Sequence, residues 1–192
     1  GRVALALAER LQERNGAALV LLSAHLGLGA DAIAAEKKNL PPASAATVTE
    51  SAARLMRRDT DEALASRVEQ LSAVSWDQFL RDWYAASMWG SLQQDAVGGF
   101  DALLARRRFN RPRALAASLR GLSLSSMPSF WHLAKRVGER DGDTSLAMLY
   151  VAGARDDKYA AFAKHIAESA DDHARAVVIE DAGHALLEQV SR

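Results

Sequence analysis

Two apolar runs near the C-terminus constrain this chain more than anything else in it. The first, Ala147-Met148-Leu149-Tyr150-Val151-Ala152, ends in Gly153-Ala154-Arg155-Asp156. The second, Ala176-Val177-Val178-Ile179, ends in Glu180-Asp181-Ala182-Gly183-His184. Between them, residues 158–169 carry apolar side chains at helical spacing. Strand, helix, strand in that order gives two parallel strands, because a parallel pair needs a crossover of a dozen or more residues. Both turns then leave the sheet at the same edge, where open α/β sheets hold their ligands. One turn presents a carboxylate, Asp156, and the other an imidazole, His184. A carboxylate that fixes the tautomer of an imidazole makes that imidazole a usable base.

A third apolar run, Ala17-Ala18-Leu19-Val20-Leu21-Leu22-Ser23, reads as another buried strand. The predicted strands are therefore 17–23, 145–152 and 175–180. Residues 1–14 form a helix stopped at Asn15-Gly16. From 31 to 137 no strand pattern occurs, and 30–38, 45–57, 60–73, 75–87, 95–106, 111–121 and 127–137 read as helices. Thr60 or Asp59 is expected to cap the third of these and Ser75 the fourth. Pro41-Pro42, Gly98-Gly99 and Pro112 punctuate them. The expected organisation is an α/β core from residues 1–29 and 138–192, with 30–137 inserted as a helical lid that shields the site from water.

The charge balance narrows the classes of partner. Lys plus Arg number 24 and Asp plus Glu 24. No net field favours nucleic acid or a membrane surface. Neither is expected as a partner. Cysteine is absent, which removes disulfides, thiolate catalysis and thiolate metal sites from these residues. No apolar run approaches the roughly 20 residues of a membrane span. The histidines and carboxylates lack metal-ligand spacing, so no metal is expected. The first residue is not Met, a helical pattern is already under way there, and another is under way at Arg192. The chain reads as a fragment of a longer protein.

Four stretches together resemble one family. Gly1-Arg2-Val3-Ala4 resembles the end of a nucleophile elbow, Gly-x-Ser-x-Gly-Gly-Arg. Ser23-Ala24-His25-Leu26-Gly27-Leu28 resembles a post-strand "HPGL" or "SPGL" loop, with Leu26 where Pro is usual. Phe79-Leu80-Arg81-Asp82-Trp83-Tyr84, Leu115-Ala116-Ala117-Ser118-Leu119-Arg120-Gly121 and Met127-Pro128-Ser129-Phe130-Trp131 are similar to the lid. Val151-Ala152-Gly153-Ala154-Arg155-Asp156-Asp157-Lys158-Tyr159 and Ala182-Gly183-His184 match its Asp and His motifs. The family is the 2-succinyl-6-hydroxy-2,4-cyclohexadiene-1-carboxylate synthases, α/β-hydrolase-fold enzymes of vitamin K (menaquinone and phylloquinone) biosynthesis. The likeness covers nearly the whole chain except about 38–58.

The resemblance implies the C-terminal part of an α/β-hydrolase fold with a large helical lid. It implies a lyase that eliminates pyruvate from 2-succinyl-5-enolpyruvyl-6-hydroxy-3-cyclohexene-1-carboxylate without a cofactor. Asp156 and His184 become two members of a triad whose serine would lie three places before Gly1. No Gly-x-Ser-x-Gly occurs in the 192 residues, and Ser123, Ser125 and Ser126 lack the flanking glycines. These residues alone are therefore expected to be inactive. Arg2, Arg107 and Lys37 become ligands for a polycarboxylate substrate, with Lys37 standing where an Arg is usual. Trp83 and Tyr84 become walls of the pocket. A chloroplast location is expected, with upstream pathway domains on the same polypeptide; a bacterial cytoplasm is the alternative. The competing readings are a hydrolase of an ester, thioester or C–C bond on the same fold, and a non-catalytic truncated chain.

Overall fold

The structure is a computed structural model that describes residues 2–11, 18–32, 49–86, 89, 92–135, 147–169 and 174–189. Helix α1 (Arg2–Leu11) leads into strand β1 (Ala18–Leu22). A helical segment follows: α2 (Glu50–Glu69), α3 (Ala73–Ala85), α4 (Leu92–Asp95), α5 (Phe100–Arg108), α6 (Pro112–Gly121) and α7 (Trp131–Lys135). The chain then returns through β2 (Ala147–Gly153), α8 (Asp157–Ser169), β3 (Ala174–Ile179) and the short α9 (Leu186–Gln189).

The sheet is parallel, in the order β1-β2-β3. Its register sets Leu21 beside Tyr150 and Tyr150 beside Ala176. The central strand β2 is buried almost throughout, which is why it reads as a continuous apolar run. Leu19, Leu21, Met148, Tyr150 and Ala152 join Leu5 and Ala8 of α1, Trp131 of α7, and Phe162 and Ile166 of α8 in the main core. A second core of Val68, Trp76, Phe79, Leu80 and Leu104 lies within the helical segment.

All three expected strands are present, within one residue of their expected positions where the structure describes both ends. The helices differ more. The expected break between 57 and 60 is absent, and α2 runs unbroken through it. Asp and Thr are poor in helix interiors because their side chains compete for the backbone. Here Thr60 Oγ1 donates to the Met56 carbonyl at 2.8 Å, and Arg57 pairs with Asp61 one turn on at 2.9 Å. The competing groups are thus satisfied inside the helix, and Thr49 is the cap, accepting from Ala52 N at 3.2 Å. The cap of α3 is Ser72, with Ser75 completing a reciprocal capping box at N3. The helix expected at 95–106 begins only at Phe100, after Gly98 and Gly99 take positive φ angles. The one expected at 127–137 begins at Trp131.

Arg54 stitches the helical segment to the loop after β1. Its guanidinium donates to the carbonyls of Leu28, Ser125 and Met127 at 2.8, 2.9 and 2.8 Å. Gly27 (φ +100°) lies under Pro128, whose carbonyl would be 2.4 Å from any Cβ there. The loop can pass beneath residues 128–130 only with glycine at that point.

Candidate active site

The C-terminal ends of β2 and β3 are held together at backbone level. Ala154 N donates to Ile179 O and Arg155 N to Ala182 O, each at 2.9 Å. Gly153 is in such close contact with this turn that a Cβ would lie 2.3–2.5 Å from the Ala182 and Gly183 backbone. The two turns therefore emerge side by side, and their side chains meet.

His184 Nδ1 lies 2.7 Å from Asp156 Oδ2. The Asp156 side chain is 9% exposed and that of His184 21%. An ionised carboxylate only accepts, so Nδ1 carries the proton and Nε2 is left as the basic nitrogen. Asp156 has a second task. Its backbone carbonyl accepts from Ala160 N at 2.8 Å and its Oδ1 from Tyr159 N at 3.4 Å, so it is the N-cap of α8. Helix start and imidazole orientation thus use the two oxygens of one carboxylate.

Aromatic rings surround the imidazole. Tyr159 packs on it with ring centroids 4.8 Å apart, and Trp89 meets it edge-on at 5.3 Å. Trp83 and Tyr84 form the next layer, 6.3 and 5.0 Å from Trp89. Burial raises the pKa of the Tyr84 phenol; the Arg107 guanidinium and the Glu188 carboxylate beside it pull in opposite directions. The Trp89 indole nitrogen is buried with no acceptor among the described residues. His25, at the end of β1, packs edge-on against Phe162 at 5.0 Å, and its Nδ1 accepts from Gly27 N at 3.1 Å.

The other expected site residues are placed as follows. Asp156 and His184 are in contact. Trp83 and Tyr84 stand one ring away from His184, behind Trp89. Arg107 lies at the end of α5, its Nη2 donating to Glu188 Oε1 at 2.9 Å while its Nε is buried without an acceptor among the described residues. Arg106 donates to the other oxygen of Glu188. Arg2 begins α1, but its side chain is outside the described residues, as is the whole of Lys37. Ser123 Oγ donates to the buried Asp61 carboxylate at 2.7 Å.

Sequence reasoning gave neither Trp89 nor Tyr159 a role at the site. Tyr159 was within reach of it, since N3 of a helix capped by Asp156 must lie over the capping carboxylate. Nothing local marks Trp89, whose contact with His184 spans most of the helical segment. Among the described residues no group of three or more His, Cys, Asp or Glu is placed to hold a metal ion. No helix there is long and apolar enough to cross a membrane.

Neighbouring parallel strands that end in an aspartate turn and a histidine turn, with a helical segment between the first two strands, define a mixed α/β protein with a three-stranded parallel sheet. The structure of MenH from S. aureus is similar to this chain, with a TM-score of 0.67 at 22% sequence identity, over 97% of this chain and 59% of that one. A structural likeness at that identity shows a shared fold and nothing more. The chain spans 59% of the length of this neighbour. No protein-family model matches the chain, and no curated protein matches its sequence.

Proposed function

We propose that this chain carries the acid–base half of a lyase of vitamin K biosynthesis, a 2-succinyl-6-hydroxy-2,4-cyclohexadiene-1-carboxylate synthase. The observation that carries the reading is the 2.7 Å contact between His184 Nδ1 and Asp156 Oδ2, at the sheet edge of a fold shared with MenH from S. aureus. The family motifs at both turns and in the helical segment support it. Asp156 holds the proton on Nδ1, which leaves Nε2 to accept one. The hydroxyl it acts through is a serine in an elbow ahead of Gly1. The Ser–His pair removes a ring proton from the substrate, and the electron pair forms a ring double bond. The C–O bond to the enolpyruvyl group breaks, and the released enol takes up a proton as pyruvate. Arg2, Lys37 and Arg107 hold the substrate carboxylates, Arg107 with the Nε–H that has no acceptor among the described residues. Residues 30–137 serve as the lid, with Trp83, Tyr84 and Trp89 as its wall. The reading carries with it a plastid setting with fused pathway domains, or a bacterial cytoplasm.

The test is a pyruvate assay coupled to lactate dehydrogenase. The chain preceded by its own upstream coding sequence is expected to release pyruvate, and the 192 residues alone are expected to be silent. His184→Ala should abolish release from the longer form. Pyruvate released equally by His184→Ala overturns the reading. Turnover of p-nitrophenyl esters without pyruvate moves the assignment to the hydrolases.

A further inference from the structure

The backbone bonds between the two turns reach Ala182, whose carbonyl accepts from Arg155 N. The next amide, Gly183 N, donates instead to a side chain, Gln189 Oε1 of α9, in a buried bond of 3.1 Å. The carboxamide lies close against the glycine: a Cβ at 183 would stand 3.2 Å from Gln189 Oε1 and 3.3 Å from Nε2. Glycine thus lets the carboxamide come flush with the peptide that leads into His184. It also leaves that peptide poorly restrained, because a residue without a Cβ imposes little on its own φ and ψ. The hydrogen bond to Gln189 supplies a restraint that the glycine itself does not.

The backbone that carries Gln189 is well fixed. Leu186 of α9 is buried with Val151 of β2 and Ala182 of the turn. Glu188 is gripped by Arg106 and Arg107 through its carboxylate and by Val97 N through its carbonyl. Gln189 itself is 8% exposed. The imidazole it stands behind has to be aimed narrowly. The contact from His184 Nδ1 to Asp156 Oδ2 is 2.7 Å, and hydrogen bonds weaken steeply as they bend. Asp156 is anchored by α8, whose N-cap it is. A swing about Gly183 would carry the imidazole away from a carboxylate that does not follow.

On the reading of His184 as the base of the proposed reaction, we propose that Gln189 is its positioning residue. The Gln189 carboxamide oxygen fixes the Gly183 peptide, and that peptide fixes the plane in which the imidazole meets Asp156. The role belongs to the acceptor oxygen, so a carboxylate of the same length fills it and an apolar side chain does not.

The first readout is the far-downfield proton resonance of the His184 Nδ1–H bonded to Asp156, recorded on the full chain without substrate. Gln189→Met keeps the length and removes the acceptor; it should broaden or abolish that resonance and speed exchange of the Gly183 amide. Gln189→Glu should retain both as in the parent. Gln189→Asn keeps the amide but falls one methylene short, and serves in place of the Met variant if that does not fold. In the longer form, Gln189→Met should lower kcat about ten- to a hundredfold at nearly unchanged KM, and Gln189→Glu should restore most of it. If no form releases pyruvate but the resonances behave as stated, the lyase reading fails and the positioning role stands. A folded Met or Asn variant with the parent's Nδ1–H resonance overturns the proposal. So does a Glu variant that loses the resonance as Met does, or a rise in KM with kcat unchanged.

Discussion

A Cβ on Gly153 would sit 2.3 Å from the Ala182 carbonyl oxygen and 2.4 Å from that of Gly183. Both contacts are with backbone, which has no rotamer by which to yield. Gly153→Ala should therefore push the β2 and β3 turns apart and lengthen the Asp156–His184 bond. The expected loss of unfolding free energy is about 1–3 kcal/mol, read by urea denaturation, together with lost activity in the pyruvate assay. Asp156→Asn separates the two roles of that residue. An asparagine caps a helix about as well as an aspartate, so the unfolding temperature should barely move. It no longer secures the tautomer, however, and the rate of pyruvate release by the longer form should fall by about 10³-fold or more. An unchanged rate would place the base elsewhere. Asp156 and His184 were legible in sequence because each stands at the end of its own strand, within one local frame. Arg107 was legible as a basic residue at a helix end, but its Glu188 partner, 81 positions away, was not.

At the scale of the element, α2 and its contacts with α6 matter most. Asp61 is 3% exposed and accepts from Ser123 and Arg57. Hydrogen bonds to a charged group contribute about 1.5–3 kcal/mol, and Asp61→Ala should lower stability by about that amount. A loss below about 0.5 kcal/mol would mean that the network adds nothing net to the fold. Arg120 of α6 donates to Glu62 and Glu69 of α2. The Arg120 hydrogen bond, followed by that from Ser66, lowers the Glu62 pKa below its ordinary value. A depressed carboxylate adds stability that is present above its unfolded pKa and is lost as pH falls through its folded one. Glu62→Gln should thus melt lower than the parent near neutrality, and the gap should close once acid titrates the carboxylate. A gap that persists in acid would assign the effect to packing. The break wrongly expected at 57–60 shows why helix ends are hard to read. Thr60 looks like a cap until its bond to the Met56 carbonyl, one turn back, is counted.

For the whole molecule, the three parallel strands and the presence of helices between the first two were legible because apolar runs and their turn residues are local signals. The division of the interior into separate hydrophobic clusters was not, since it depends on which helix faces pair. The described sheet also has a strong asymmetry. Val20 of β1 is 58% exposed and Leu22 40%, while Leu19 and Leu21 on the opposite face are buried. An edge strand with exposed aliphatics invites pairing with another chain. The 192 residues by themselves should show a mass that rises with concentration in sedimentation equilibrium, and Val20→Lys should flatten that rise. A concentration-independent monomer would mean that the face is protected. The double grip of Arg106 and Arg107 on Glu188 ties the helical segment to the last helix, and Val97 N also holds the Glu188 carbonyl at 2.9 Å. Any excursion that parts α5 from α9 must release two guanidinium bonds and tug the backbone four residues beyond His184. Access and base alignment then share one clock, which added salt should speed by loosening that grip.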